Sequence, residues 1–279
     1  MLHGDWLARR ATAHGDRGAL VDLDGGERLS YAALDWRAGQ AAGALRDLGV
    51  GPGDRVAILA ANRLEHVELL FACARLGALL VPLNWRLPMA ELAPILRGAD
   101  PCVLLFDAAG APTAQAIAGT SGFSGALVPL DAHGVDGSRA QRDAHGVGGS
   151  PGQAWAELRG AATPPVAAHV DAHTPWMLLY TSGSSGTPKG VVLTHGSMTW
   201  NLINTRVGWD LRGDDVTIAH TPFFHTGGWN VLLLPLLHGG GTVVIARAFD
   251  PARTLDAIVE HGVSTLFAVP TMFADLLAA

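Results

Sequence analysis

Tyr180-Thr181-Ser182-Gly183-Ser184-Ser185-Gly186-Thr187-Pro188-Lys189-Gly190 follows one apolar run, Trp176-Met177-Leu178-Leu179, and precedes another, Val191-Val192-Leu193. The pattern reads as strand, tight polar loop, strand. Five hydroxyl side chains run from Thr181 to Thr187. Gly183, Gly186 and Gly190 let the backbone turn sharply and approach a ligand closely. Lys189 adds a full positive charge. Backbone N–H groups, hydroxyls and one ammonium on a single loop suit a polyphosphate. Two other loops are excluded by position. A Walker A loop starting at Gly183 needs Gly where Pro188 stands and Ser or Thr where Gly190 stands. The G-x-S-x-G elbow of hydrolases fails at Thr187. A plain Gly/Ser linker seldom lies between two short apolar strands, and seldom carries Pro-Lys-Gly. Lys189 is also the only lysine of the chain; the other 18 of its 19 basic residues are arginine. A compact ammonium suits phosphate oxygens where the planar fork of arginine is not required.

The chain has 279 residues, 49% hydrophobic and 16% charged, which supports a substantial core and argues against disorder. A net charge of −6 gives no reason to expect a nucleic-acid partner. Cys73 and Cys102 sit in apolar surroundings and read as buried thiols rather than a disulfide framework. Met1 to Arg10 lacks a signal-peptide apolar core, and runs such as Val231–Leu237 are too short to span a bilayer. A cytoplasmic protein is the expectation.

Outward from the loop, strand and helix patterns alternate. Leu2–Ala13 reads as an amphipathic helix. Ala19–Asp24 and Arg28–Ser30 read as a hairpin around Asp24-Gly25-Gly26. Ser30 caps a helix that Gly49 ends. Arg55–Ala60 reads as a buried strand, and Asn62 as the cap of the next helix, with Glu65 completing a capping box. Ala78–Leu83, a helix from Met89 to Gly98, and strands Cys102–Phe106 and Ala126–Leu130 continue the pattern. Asp131-Ala132-His133-Gly134-Val135 recurs as Asp143-Ala144-His145-Gly146-Val147, so 131–152 reads as a mobile insertion rather than a metal site. Beyond the loop come a helix from Thr194 to about Trp209, a strand Asp214–Thr221, and a helix reaching Leu237. Strand Thr242–Ala246, helix Arg253–Gly262, strand Ser264–Val269 and a helix opened by Pro270 complete the chain. The implied architecture is α/β, with two sheets stacked and helices between them.

The loop resembles the phosphate-binding loop of the adenylate-forming (AMP-binding) superfamily. This comprises acyl- and aryl-CoA ligases, peptide-synthetase adenylation domains and luciferases. The chain is most similar to a fatty-acid-type acyl-CoA ligase, or acyl-CoA synthetase. Leu29-Ser30-Tyr31-Ala32-Ala33-Leu34 and Pro82-Leu83-Asn84-Trp85-Arg86-Leu87 resemble further signatures of that family. The resemblance implies the layered fold of its large N-terminal AMP-binding domain, incomplete over 1–279. Within it, a first sub-sheet occupies about 1–130 and the phosphate-loop half 164–279. The family's C-terminal domain is expected to be absent.

The implied reaction joins a carboxylic acid, here expected to be a fatty acid, to AMP at the cost of ATP, and passes the acyl group to coenzyme A. Thr181, Ser182, Gly183, Ser184, Ser185, Gly186, Thr187 and Lys189 would hold the ATP phosphates, with Mg2+ accompanying the nucleotide. No metal ligand is assigned. His225, Thr226, Gly227, Gly228 and Trp229 would border the acyl and adenylate pocket, His225 gating the acid. The alternatives are a core histidine bonded to a carbonyl and a core tryptophan. His195 would support the loop. No Tyr-Gly-x-Thr-Glu-like segment occurs, and the single lysine lies in the loop. The family's adenylation lysine is therefore missing, and the chain is expected to be the front of a longer ligase, inactive alone. The competing readings are a non-catalytic nucleotide- or acyl-binding module and an amidase-type hydrolase with a Ser–Ser–Lys site. The hydrolase would need a lysine distant from the loop as its base.

Overall fold

The computed structural model describes residues 5–119, 123–131, 154–165, 169–181 and 188–279. Repeat region 132–152 lies outside the described residues. The elements in chain order begin with α1 (Trp6–His14), β1 (Gly18–Asp22), β2 (Arg28–Ser30), α2 (Tyr31–Asp47) and β3 (Arg55–Leu59). Next come α3 (Leu64–Leu76), β4 (Leu79–Pro82), α4 (Met89–Ala99), β5 (Val103–Phe106), α5 (Ala111–Ala118) and β6 (Ala126–Pro129). They continue with α6 (Trp155–Ala161), β7 (Pro175–Thr181), β8 (Lys189–Thr194), α7 (His195–Gly208) and β9 (Val216–Ala219). The last are α8 (Gly227–Asn230), α9 (Leu233–Gly239), β10 (Thr242–Ile245), α10 (Pro251–His261) and α11 (Pro270–Ala278).

Local chemistry sets many of these limits. The Asp5 carboxylate accepts the Ala8 N–H and starts α1. Ser30 Oγ accepts the Ala33 N–H at 3.2 Å and starts α2. Asp250 accepts the Arg253 N–H at 2.8 Å ahead of Pro251, and α10 stops at Gly262 with φ +61°.

Two compact units result. One comprises residues 37–60 and 68–195; the other comprises 5–36, 61–67 and 196–279. The first holds a six-stranded sheet in the order β6-β5-β3-β4-β7-β8. It is parallel except for β8, which runs antiparallel to β7 at the edge. Its inner strands β4 and β5 are buried and apolar along their whole length, as parallel strands covered on both faces require. Leu104, Val81 and Ala57 pack there against Leu92, Ile95 and Ile117 of the helices. The second unit holds a four-stranded sheet, β2-β1-β10-β9, whose Val21, Ile218 and Val244 pack with Ala257.

The strands thus divide differently from the sequence reading. The hairpin β1–β2 leaves the first half of the chain to join β9 and β10, while β7 and β8 complete the sheet of β3 to β6. Period-two patterns mark a strand but not the sheet it joins. Other expectations also change. Asn62 caps no helix; its amide is engaged elsewhere, as shown below. The helix expected to reach Leu237 breaks into α8 and α9, because Leu232 has non-helical φ −126°. Residues 264–269 form no strand. The N–H groups of Ser264 and Thr265 both go to the Val216 carbonyl, which leaves no ladder register. Helices α5 and α6 lie where the sequence carries little periodic signal.

Candidate phosphate loop and His225 segment

The ladder between β7 and β8 runs from Pro175 opposite Thr194 to Thr181 opposite Lys189. It brings the two ends of the polar loop side by side, with the Thr181 hydroxyl 3.5 Å from the Lys189 carbonyl. Ser182, Gly183, Ser184, Ser185, Gly186 and Thr187 lie outside the described residues. Lys189 is exposed and opens β8. Glycine is needed just after it. A Cβ on Gly190 would stand 3.0 Å from Leu178 Cδ1 and 3.4 Å from Tyr180 Cζ. Tyr180 is half-buried beside Gly98, and burial pushes its phenol above the ordinary range. At the other end of the hairpin, buried His195 stacks on Trp176, with rings parallel at 4.4 Å. Its backbone N–H bonds the Thr174 carbonyl at 3.0 Å. Trp176 in turn donates to the Leu70 carbonyl at 2.8 Å. His195 therefore belongs to the core that anchors the hairpin.

The His225 segment lies in the second unit. Phe223, Phe224, Gly228 and Trp229 are buried, Gly227 is half-buried, and His225 and Thr226 are exposed. A turn places the His225 N–H on the Pro222 carbonyl at 3.0 Å, and α8 follows at once. Trp229 is wholly buried, and its indole N–H bonds the Phe223 carbonyl. The two rings tilt together at 4.7 Å. Trp229 thus supports the segment from its core side. Gly228 permits this packing, since a Cβ there would meet the Pro222 carbonyl oxygen at 2.8 Å and that of Thr221 at 2.9 Å. The segment also borders a small cavity lined by Thr217, Thr221, Gly227, Leu233 and Phe267.

Sequence reasoning did not find three further groups here. Asn62, buried ahead of α3, donates its amide N–H to the Thr221 carbonyl at 2.9 Å and accepts the Phe223 N–H at 2.9 Å. His66, on the first turn of α3, meets the Phe223 ring edge-on at 5.2 Å and lies 6.4 Å from the Trp229 ring. Asn201 of α7 donates to the Asn230 carbonyl at 2.6 Å. The available signal was the polarity of Asn62 inside an apolar stretch, because a buried amide needs partners. Their identity was not available from sequence. Among the described residues no group of three His, Cys, Asp or Glu side chains could hold a metal ion.

A family model described as AMP-binding enzyme matches residues 7–279. The chain is 37% identical over 275 residues to a feruloyl-CoA synthase of Amycolatopsis sp, covering 99% of this chain and 50% of that protein. It is 36% identical over 274 residues to an indoleacetate–CoA ligase of Aromatoleum aromaticum, covering 98% of this chain and 51% of that protein. The crystal structure of a putative long-chain-fatty-acid CoA ligase from Rhodopseudomonas palustris superposes with a TM-score of 0.85 at 28% identity. That match covers 98% of this chain and 64% of the other. The chain spans about half the length of the curated relatives it matches.

Proposed function

This chain belongs to the AMP-binding enzyme family, and we propose that it is the ATP-gripping part of an acid–CoA ligase. The proposed reaction starts with attack of a substrate carboxylate oxygen on the α-phosphorus of ATP. Pyrophosphate leaves, and the acyl-AMP formed is captured by the thiol of coenzyme A with loss of AMP. The observation that carries this reading is the position of Lys189. The only lysine of the chain stands in register with Thr181, and these two residues flank the hydroxyl-rich segment. An ammonium there can neutralise the outer phosphates while backbone N–H groups and hydroxyls orient them; positioning and charge neutralisation are the main needs of such a transfer.

The acid proposed is apolar and enters by the His225 segment, Thr226 to Gly228 bordering it. The sequence reading favours a fatty acid. The relatives named for ferulate and indoleacetate widen the class to aryl and arylalkanoic acids. The 279 residues alone are proposed not to complete the reaction, because the family's adenylation lysine has no counterpart among them. The setting proposed is the cytoplasm, as in the sequence reading; separately, among the described residues no helix is long and apolar enough to cross a membrane.

Calorimetry of the chain and of Lys189→Ala with ATP and with AMP tests the reading. The variant should weaken ATP more than AMP. Equal losses for both nucleotides would place the lysine away from the outer phosphates, and a chain that takes up neither nucleotide would sink the proposal that it grips ATP.

A further inference from the structure

We propose that Asn62 and Asn201 are positioning residues that hold the His225 segment at its two ends and thereby set how the acid is received. The inference rests on the reading of His225 given above. Pro222 has no N–H, so the backbone at the start of the segment offers an acceptor at Thr221 and a donor at Phe223. A carboxamide is the side chain that answers both at once. Asn62 does so with two bonds of 2.9 Å, across 159 and 161 residues of chain. At the far end, the Asn201 amide takes the Asn230 carbonyl at 2.6 Å, where α8 ends. Between these clamps Trp229 ties back to the Phe223 carbonyl, and His66 closes over the Phe223 ring. Exposed His225 and Thr226 lie between the two held ends, on a run of only ten residues from Thr221 to Asn230. A short run with both ends held has little freedom, and sub-ångström placement of a group that meets substrate changes rate strongly.

The test uses the ligase that carries this chain, with Asn62→Asp, Asn201→Ala and His225→Ala compared with wild type. Asn62→Asp keeps the shape and the acceptor for Phe223 but sets a second oxygen against the Thr221 carbonyl. Asn201→Ala removes only the bond at the other end. Thioester formation is measured while acid and ATP are varied separately, with a short and a long acid, and melting temperatures are recorded. Both asparagine variants should lower kcat/KM for acid by about tenfold, the scale of one lost buried hydrogen bond. They should also change the ratio between the two acids and leave the KM for ATP within about twofold. A merely structural role lowers the active fraction. That reduces turnover for both substrates together and leaves both KM values and the acid ratio unchanged. This outcome, or no change, overturns the inference. If Asn62→Asp does not fold, Asn201→Ala decides by the same readouts. Acid dependence moved by His225→Ala but by neither asparagine variant removes the inference alone. Acid dependence unmoved by His225→Ala removes the His225 reading and the inference with it.

Discussion

Lys189 and Gly228 make opposite demands on a side chain. Lys189 is exposed, so removing its side chain costs little packing, and the role proposed for it is in ligand binding. A charge-assisted contact to phosphate is worth about 1.5–3 kcal/mol. Lys189→Ala should therefore raise the dissociation constant for ATP by tens-fold or more, with AMP nearly unaffected and the melting temperature unchanged. Gly228 is a folding residue. A methyl group there collides with two backbone carbonyl oxygens, at 2.8 and 2.9 Å, and one of them, that of Thr221, is held by Asn62. Gly228→Ala should cost about 1–3 kcal/mol in urea unfolding, the range for overpacking. Gly160 of α6 is the control, because nothing lies within 4 Å of a Cβ built on it. Gly160→Ala should leave stability equal or raise it by about 0.5–1 kcal/mol. Equal losses for the two alanines would refute this account of Gly228. At this scale the strands that flank the loop are legible in sequence, since the apolar runs Trp176–Leu179 and Val191–Leu193 are local and pair as β7 and β8. The role of Asn62 is not legible. An Asn before a helix with Glu three residues on fits a capping box, and its true partners lie about 160 residues away, beyond any local pattern.

Helices α3 and α9 each carry a histidine that folding keeps neutral. Burial, reinforced by the nearby Arg63 charge, pushes His66 down to about 3. Burial and then the charges of Arg206, Arg10 and Arg9 push His238 down to about 4. His238 meets Trp6 edge-on at 5.3 Å, and its carbonyl accepts from the Arg10 guanidinium at 2.6 Å. In the unfolded chain both rings titrate near 6.5. Between that value and the folded one, the unfolded state binds more protons, so stability rises with pH across the interval. The neutral-histidine contribution is complete above about pH 6.5. It falls away as pH drops towards 4 for His238 and towards 3 for His66, by up to about 1.4 kcal/mol per pH unit for each ring. Urea midpoints should fall steadily from pH 7 to pH 5, and His238→Gln should flatten that fall. An unchanged slope in this variant would assign the acid limb to other groups. The helical identity of α3 follows from its apolar periodicity, whereas the cap read at Asn62 is not made. Sheet membership does not follow from periodicity, because β1 pairs with β10 through contacts about 220 residues apart in sequence, as Leu20 opposite Val243 shows. Residues 264–269 show the same limit: apolar and β-branched side chains read as a strand, yet two N–H groups converge on one carbonyl and no ladder forms.

Across the whole molecule, an α/β chain with a Gly/Ser/Thr-rich segment between two strands is legible because both the alternation and the segment are local. The assignment of β7 and β8 to the sheet of β3 to β6 required the structure. β8 is an edge strand of that sheet, and its Val191 and Val192 are exposed. Such an edge can pair with another chain, and exposed apolar side chains favour it. The functional expectation for the 279 residues follows from their charges. Lys189 is the only lysine, and it stands at the loop. Under the role proposed for Lys189, an ammonium held by the outer phosphates cannot also stabilise charge developing between carboxylate and α-phosphorus. The family resemblance gives that second task to a separate lysine. One missing charge-assisted contact of about 1.5–3 kcal/mol lowers the rate by roughly one to two powers of ten. The chain by itself should therefore bind ATP more readily than it reacts, and pyrophosphate release and thioester formation should both stay at background with aryl and fatty acids alike. The assay needs protein free of host ligases and an ATP concentration above the measured dissociation constant, so that weak binding is not mistaken for slow chemistry. Acid-dependent turnover that disappears in Lys189→Ala would show that one lysine suffices, and that the adenylation step in this chain is supported by other side chains.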